Sequence, residues 1–271
     1  MMTKQTQSSA LPEQVSLHVG DEMDLLDRAR HSPQPTEIIL APVELHQRNI
    51  QRRLREDSLP KESLTFEDAI SVSRTLLGEC DVSARAIDRI DRLGLVKQLC
   101  NESVADFPTI DLPPSIQSQE PQHIEQVRTE VETLSNFHPE RISAWEKTAD
   151  DLPTPIDADT VELLEVALSV EEELRMQTDK AISDGELIRR AIRQLTATSG
   201  EVWTTVFSDI DRLSIVGLSS ISAPYADLIN AVAMTTPVDI HIHFRPATGD
   251  YLTDRVPPLF DISSLGEVVF E

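Results

Sequence analysis

Leu213-Ser214-Ile215-Val216-Gly217 and Val238-Asp239-Ile240-His241-Ile242-His243-Phe244 decide the fold. The first is an almost continuous apolar run, the pattern of a strand covered on both faces. The second alternates strictly. Val238, Ile240, Ile242 and Phe244 share one face, and Asp239, His241 and His243 share the other. Residues 224–234 between them read as a helix with Pro224 near its start. A buried strand, a helix and a second strand make the unit from which parallel sheets are built.

The same rhythm stands at the other end of the chain. Val15-Ser16-Leu17-His18-Val19 alternates and ends at Gly20. Asp21 is placed to cap a helix over residues 22–30, which Pro33 and Pro35 stop. Glu37-Ile38-Ile39-Leu40 reads as a buried strand, and Pro42 opens a helix over residues 43–55. Leu64-Thr65-Phe66 is a third strand, followed by a helix over residues 68–78. Val268-Val269-Phe270 reads as the start of one more strand.

Between these ends the strands disappear. Ile87, Ile90, Leu93, Val96 and Leu99 recur at helical spacing, predicting a helix over residues 84–101. Residues 107–122 carry Pro108, Pro113, Pro114 and Pro121 and read as loop. Helices are predicted over residues 123–137, 139–149, 157–177 and 183–196. The expected organisation is a disordered tail (1–13), an α/β lobe (14–80 and 207–271) and a helical insertion (81–206).

The chain of 271 residues holds 24 basic and 47 acidic residues, a net charge of −23. Only five of the basic residues are lysine. Self-repulsion of this size disfavours a compact state in dilute buffer. At molar salt the Debye length is about 3 Å and the repulsion is screened. The composition therefore points to a halophile, an archaeon, and net charge stops being a guide to partners. The competing reading is an ordinary acidic protein, or one with a basic partner. Carboxylates outnumber basic groups more than threefold over residues 120–187, as expected of solvated helix faces. No apolar run approaches the roughly 18 residues of a membrane span, and residues 1–14 show no apolar signal segment. A cytoplasmic location is expected. Two cysteines, Cys80 and Cys100, exclude a disulfide framework and a four-cysteine zinc site.

The order of elements resembles the first RecA-like lobe of a superfamily-1 helicase, and most of all the UvrD-like region of AddB-type helicase–nuclease B subunits. The residues that carry the resemblance are Ile38-Ile39-Leu40-Ala41-Pro42, Leu64-Thr65-Phe66-Glu67-Asp68-Ala69-Ile70 and, best of all, residues 213–245. It implies a parallel RecA-like, P-loop-type sheet interrupted by a helical subdomain. It also implies a nucleotide loop after the first strand and a helix beside a single-strand channel.

The chemistry that should follow is missing. A nucleotide loop needs GxxxxGK[ST], whose backbone N–H groups, lysine and hydroxyl hold phosphates and Mg²⁺. The corresponding segment, residues 19–28, has one glycine, no lysine and four carboxylates. The returning strand should end in a carboxylate for Mg²⁺, and Gly217-Leu218-Ser219 offers none. There is no GxGxxG. No ATPase activity and no cofactor are expected.

Other constellations carry less. His241-Ile242-His243 is an HxH strand of the kind metal-dependent hydrolases use, but no other histidine stands at ligand spacing. Arg48, Arg52, Arg53 and Arg55 are the DNA-contact candidates. The resemblance places them beside the single-strand channel; a solvated face paired with Glu44, Glu56 and Asp57 is the competing reading. Arg189, Arg190 and Arg193 form a second cluster, and Glu171-Glu172-Glu173 reads as a solvated helix turn. Trp145 and Trp203 are expected in the core rather than as base-stacking platforms.

The leading expectation is a non-catalytic, helicase–nuclease-like protein. It would be a scaffold or DNA-contacting subunit in DNA-end processing and repair, with a nuclease or helicase subunit and single-stranded DNA as partners. The alternatives are a metal-dependent hydrolase using His241 and His243, and a truncated frame without independent activity.

Overall fold

The computed structural model describes residues 11–20, 23–31, 36–41, 44–60, 62, 64–100 and 120–270. Its centre is a five-stranded, all-parallel sheet, an α/β fold of the RecA-like class. The strands are β1 (Val15–Val19), β2 (Glu37–Leu40), β3 (Thr65–Glu67), β4 (Arg212–Leu218) and β5 (Asp239–Phe244). Their order across the sheet is β1-β5-β4-β2-β3. The helices of the N-terminal part are α1 (Met23–His31), α2 (Glu44–Glu56) and α3 (Ala69–Glu79). After β3 come α4 (Arg89–Leu99), α5 (Pro121–Ser135), α6 (Pro139–Asp150), α7 (Ile156–Gln177), α8 (Asp184–Ala197) and α9 (Glu201–Val206). Then α10 (Ala223–Thr235) links β4 to β5, and α11 (Pro246–Thr253) follows β5. No helix among the described residues is long and apolar enough to cross a membrane.

The burial of each strand explains the strand order. β2 and the inner part of β4 are buried at every position, which requires a neighbour on each edge and a layer on each face. β1 and β3 alternate or stay half-exposed, and they are the edges. On one face Ile39 and Val216 pack under Leu25, Leu26 and Ala29 of α1 and Ile50 and Leu54 of α2. Connections after β2 and β4 run in opposite directions along the sheet. The crevice at the carboxyl ends of these two strands is therefore the topological switch point, where open α/β sheets place ligands. The strand that the resemblance pairs with a nucleotide loop, β1, is instead the outermost strand.

The chain clusters into two compact units. One takes the described residues within 1–80, 191–221 and 225–265, the other those within 81–190, 222–224 and 266–271. In the second unit α4, α5 and α7 share a core of Val96, Leu99, Ile124, Val166, Val170 and Leu174. A second core holds Val131, Phe137, Ile142, Leu164, Ala167 and Val268.

Two expectations are corrected here. Residues 84–88 are not helical. Ile87 N–H donates to the Ala181 carbonyl at 2.9 Å, Ala181 N–H donates to Arg85 at 3.0 Å, and the helix waits for the Asp88 cap. Asp88 accepts from the N–H groups of Ile90 and Asp91, which sets the start at Arg89. Val268-Val269-Phe270 does not join the sheet either. Val269 N–H donates to the Phe137 carbonyl, and the Phe270 ring meets Phe137 edge-on at 5.5 Å within the helical unit. Asp21, Pro33, Pro35, Pro42, residues 101–119 and the predicted tail up to residue 10 lie outside the described residues.

Candidate functional site

The switch-point crevice is built by β2, β4 and the helix that leaves β2. Gly217 sits at a register shift between β4 and β5 with φ +72°. No Cβ fits there without strain, and the vacated space is taken by the His46 ring of α2. A Cβ on Gly217 would meet Cγ and Cδ2 of His46 at 2.7 Å. From the other side Arg245 donates through Nε to the Gly217 carbonyl at 3.0 Å. The end of β4 therefore presents an imidazole and a guanidinium, with Ser219 and Ser220 exposed beyond. This is where Mg²⁺ would need a carboxylate.

α2 carries the DNA-contact candidates onward from His46. Ile50 and Leu54 bury one side of the helix, and Arg48, Arg52, Arg53 and Arg55 are all exposed. The spacing 48, 52, 55 puts three guanidiniums on one face. Two of them are engaged by carboxylates of their own helix. Arg48 pairs with Glu44 at 2.6 Å, and Arg52 with Glu56 at 3.6 Å. Arg55 donates to the Gln51 carbonyl at 3.2 Å. Asp57 pairs with Arg30 of α1 rather than with this run. Such exposed pairs contribute about 0–1 kcal/mol.

The HxH strand is placed differently from its hydrolase reading. β5 lies between β1 and β4, and the register sets His18 of β1 opposite His243. His18 Nε2 is 2.9 Å from His241 Nδ1, and the His18 ring stacks on His243 at 4.5 Å between centroids. Stacked rings do not converge on a common point. Among the described residues no group of three or more His, Cys, Asp or Glu is placed to hold a metal ion. Next to the histidines, Glu37 takes both Nε and an Nη of Arg28 at 2.9 and 2.8 Å and accepts from the Ser214 hydroxyl. Sequence reasoning missed His18 because its partners are far off in the chain.

In the second arginine cluster Arg189 is buried, and in the three-glutamate turn Glu171 is buried while Glu172 is exposed. Arg128, Arg189 and Glu171 have fully buried side chains in the helical unit. Arg128 bonds Glu125 at 2.8 Å and Glu171 at 2.7 Å. Arg189 bonds Glu132 at 2.9 Å and donates to Asn136 Oδ1 at 2.8 Å. Glu171 also takes Arg175 at 3.0 Å, and Arg92 pairs with Glu125. Gly185 leaves room for this, since a Cβ there would meet Glu132 Oε1 at 2.7 Å. Against the cost of burial, Arg189 and Arg128 hold the Glu132 carboxyl down at about 2. Burial, with the neighbouring Glu132 charge, pushes Glu171 up despite its guanidiniums. Arg190 is half-buried and pairs with Glu186. The cluster has the form of a structural network.

Trp203 is buried, its ring 4.7 Å from that of Phe207, and Trp145 packs at the Phe137 core. Trp203 offers no face to a base, whereas Trp145 is half-buried. Cys80 and Cys100 are free, half-buried thiols that end α3 and α4, and burial pushes the Cys100 thiol up.

A comparison with protein-family models places this chain. The family model described as "Halobacterial UvrD-like protein" matches residues 1–271. No curated protein matches the chain.

Proposed function

The chain belongs to the halobacterial UvrD-like family, and from that premise we propose that it is a helicase-like protein without ATPase activity of its own. It acts as a scaffold or DNA-contacting subunit in DNA-end processing and repair, beside a nuclease or helicase subunit. Its kinship within the helicase–nuclease proteins is with AddB-type B subunits, on the match of residues 213–245. The helical segment 81–206 is the lobe's inserted subdomain. The setting is the salt-rich cytoplasm of an archaeon.

One observation carries this reading. At the end of β4, beside the switch point where a nucleotide enzyme would hold phosphate and Mg²⁺, His46 lies against Gly217, and residues 217–219 carry no carboxylate. The absence of GxxxxGK[ST] after β1 supports the same conclusion. Contact with DNA runs through Arg48, Arg52, Arg53 and Arg55. With few aromatics to stack bases, binding is to phosphates, independent of sequence and weakened by salt.

The test is co-purification from native lysate at high salt, with the wild type and with all four arginines changed to glutamine. Retrieval of a nuclease or helicase subunit by both forms, with DNA lost only from the variant, supports the division of labour. A protein that retrieves neither DNA nor such a subunit removes the scaffold reading.

A further inference from the structure

Asn136 and Phe137, which join α5 to α6, both have φ +53°. Asparagine accepts a left-handed backbone and often ends a helix that way. For a side chain as bulky as that of Phe137 it is an outlier, kept only where the surroundings fix it. Here they do. Phe137 N–H donates to the Ser135 hydroxyl at 3.0 Å, and Arg189 donates to Asn136 Oδ1 at 2.8 Å. The Arg189 guanidinium lies over the Phe137 ring, 5.5 Å from its centroid. Backbone strain held in place in this way is concentrated in proteins at ligand clamps and switches.

This clamp has an occupant. Residues 268–270 cross it, after Gly266 turns the chain at φ +83°. The Phe137 carbonyl accepts the N–H of Val269 at 3.1 Å. To one side of that bond Val268 is buried with Val131 of α5, Ile142 of α6 and Leu164 and Ala167 of α7. To the other side the half-buried Phe270 ring meets Phe137 edge-on at 5.5 Å and lies under the Arg175 guanidinium at 5.2 Å. Arg175 is itself fixed by Glu171 at 3.0 Å. The Val269 side chain is exposed.

The seat therefore reads three consecutive residues. It takes an apolar side chain, then a backbone N–H whose own side chain is free to vary, then an aromatic ring beneath a cation. A main-chain bond flanked by pockets for alternate side chains is how extended peptides are recognised. The guanidinium adds preference for an aromatic over an aliphatic third residue.

We propose that this seat on the helical unit is a docking site for an extended apolar-x-aromatic segment of a partner protein, with Val268-Val269-Phe270 as its occupant in cis. The proposal goes beyond the DNA reading and uses none of the α2 arginines. The chain's own segment sets the threshold for the partner, since a site that is open for only a fraction of the time binds more weakly by that fraction.

The chain has two tryptophans. Trp145 packs at the same core as Val268, and Trp203 belongs to the other compact unit. Their indole N–H signals in NMR spectra of the full chain in molar KCl thus read the seat and supply a control. The probe is a synthetic peptide copying residues 266–271. With a Phe270→Ala chain the Trp145 signal is expected to shift saturably while that of Trp203 stays. The wild type is expected to need about tenfold more peptide, or beyond, for the same shift. The peptide carrying Phe270→Ala or Val268→Asp is expected to move neither signal. A folded Phe270→Ala chain that ignores the peptide overturns the proposal. So does a response that needs no aromatic ring, or a wild type that responds at the same peptide concentration.

Hydrogen exchange of the wild type judges the proposal without any variant. The Val269 amide is expected to exchange through local opening, about tenfold faster or more than the Val131 and Ala167 amides. Exchange of all three only in global unfolding would make residues 268–270 an inseparable part of the core and overturn the proposal.

Discussion

His46 lies against the Cα of Gly217, so that residue 217 has no room for a side chain. The glycine is also held at φ +72°, a region that costs other residues about 1–3 kcal/mol. Gly217→Ala is expected to destabilise by at least this amount. His46→Ala should relieve the steric part in a double-mutant cycle and leave the backbone part. Thermal unfolding of the four forms measures both. Additive losses would show that the ring and the glycine do not interact.

Glu171 holds Arg128, Arg175 and Arg189 in a fully buried place. Glu171→Gln leaves these guanidiniums short of a counter-charge and should cost about 3–5 kcal/mol. The exposed neighbour Glu172→Gln should change stability by no more than about 0.5 kcal/mol. Chemical denaturation at molar KCl compares them, and equal small effects would mean the network is hydrated.

Glu132 is held at about 2 in the folded chain by Arg189 and Arg128. Its stabilisation is thus complete above the ordinary carboxylate value and disappears as pH falls toward 2. Acid unfolding followed between pH 5 and 2 should be steeper in the wild type than in Glu132→Gln. Parallel curves would contradict the assignment.

Lowering salt acts on the other carboxylates. Glu130, Glu146, Glu165 and Glu172 are exposed on the helical unit and repel one another once screening is removed. Residues 120–187 are expected to lose helicity first as KCl falls from molar to low concentration. Far-UV circular dichroism reads this, and helicity and midpoint that ignore salt would count against the halophilic reading.

Strands and helices were legible wherever burial imposes a period. Ile240, Ile242 and Phe244 mark β5, and Ile38, Ile39 and Leu40 mark β2, to within a residue or two of their ends. What lay beyond local pattern was the order of strands. Nothing in Val15-Ser16-Leu17-His18-Val19 says that it sits at an edge beside β5, so the His18 stack was out of reach. The charge network did leave a trace. Arg128 falls between Ile124 and Val131, and Glu171 between Ala167 and Leu174, on stripes that are otherwise buried and apolar. Charges on such a stripe must meet their partners inside. The three-glutamate run hid this, because two of its members do face outward or only partly inward. Residues 84–88 were misread because apolar spacing continued past the capping aspartate.

The central claim is that this UvrD-like chain has no ATPase site of its own. Turnover of Mg²⁺-ATP by the purified full chain at its salt optimum, with and without single-stranded DNA, tests it most directly. The account predicts no hydrolysis above background in either case, since residues 19–28 lack GxxxxGK[ST] and residues 217–219 hold no carboxylate. Turnover that exceeds background and is abolished by substitutions at Gly20 or Gly217 would contradict it.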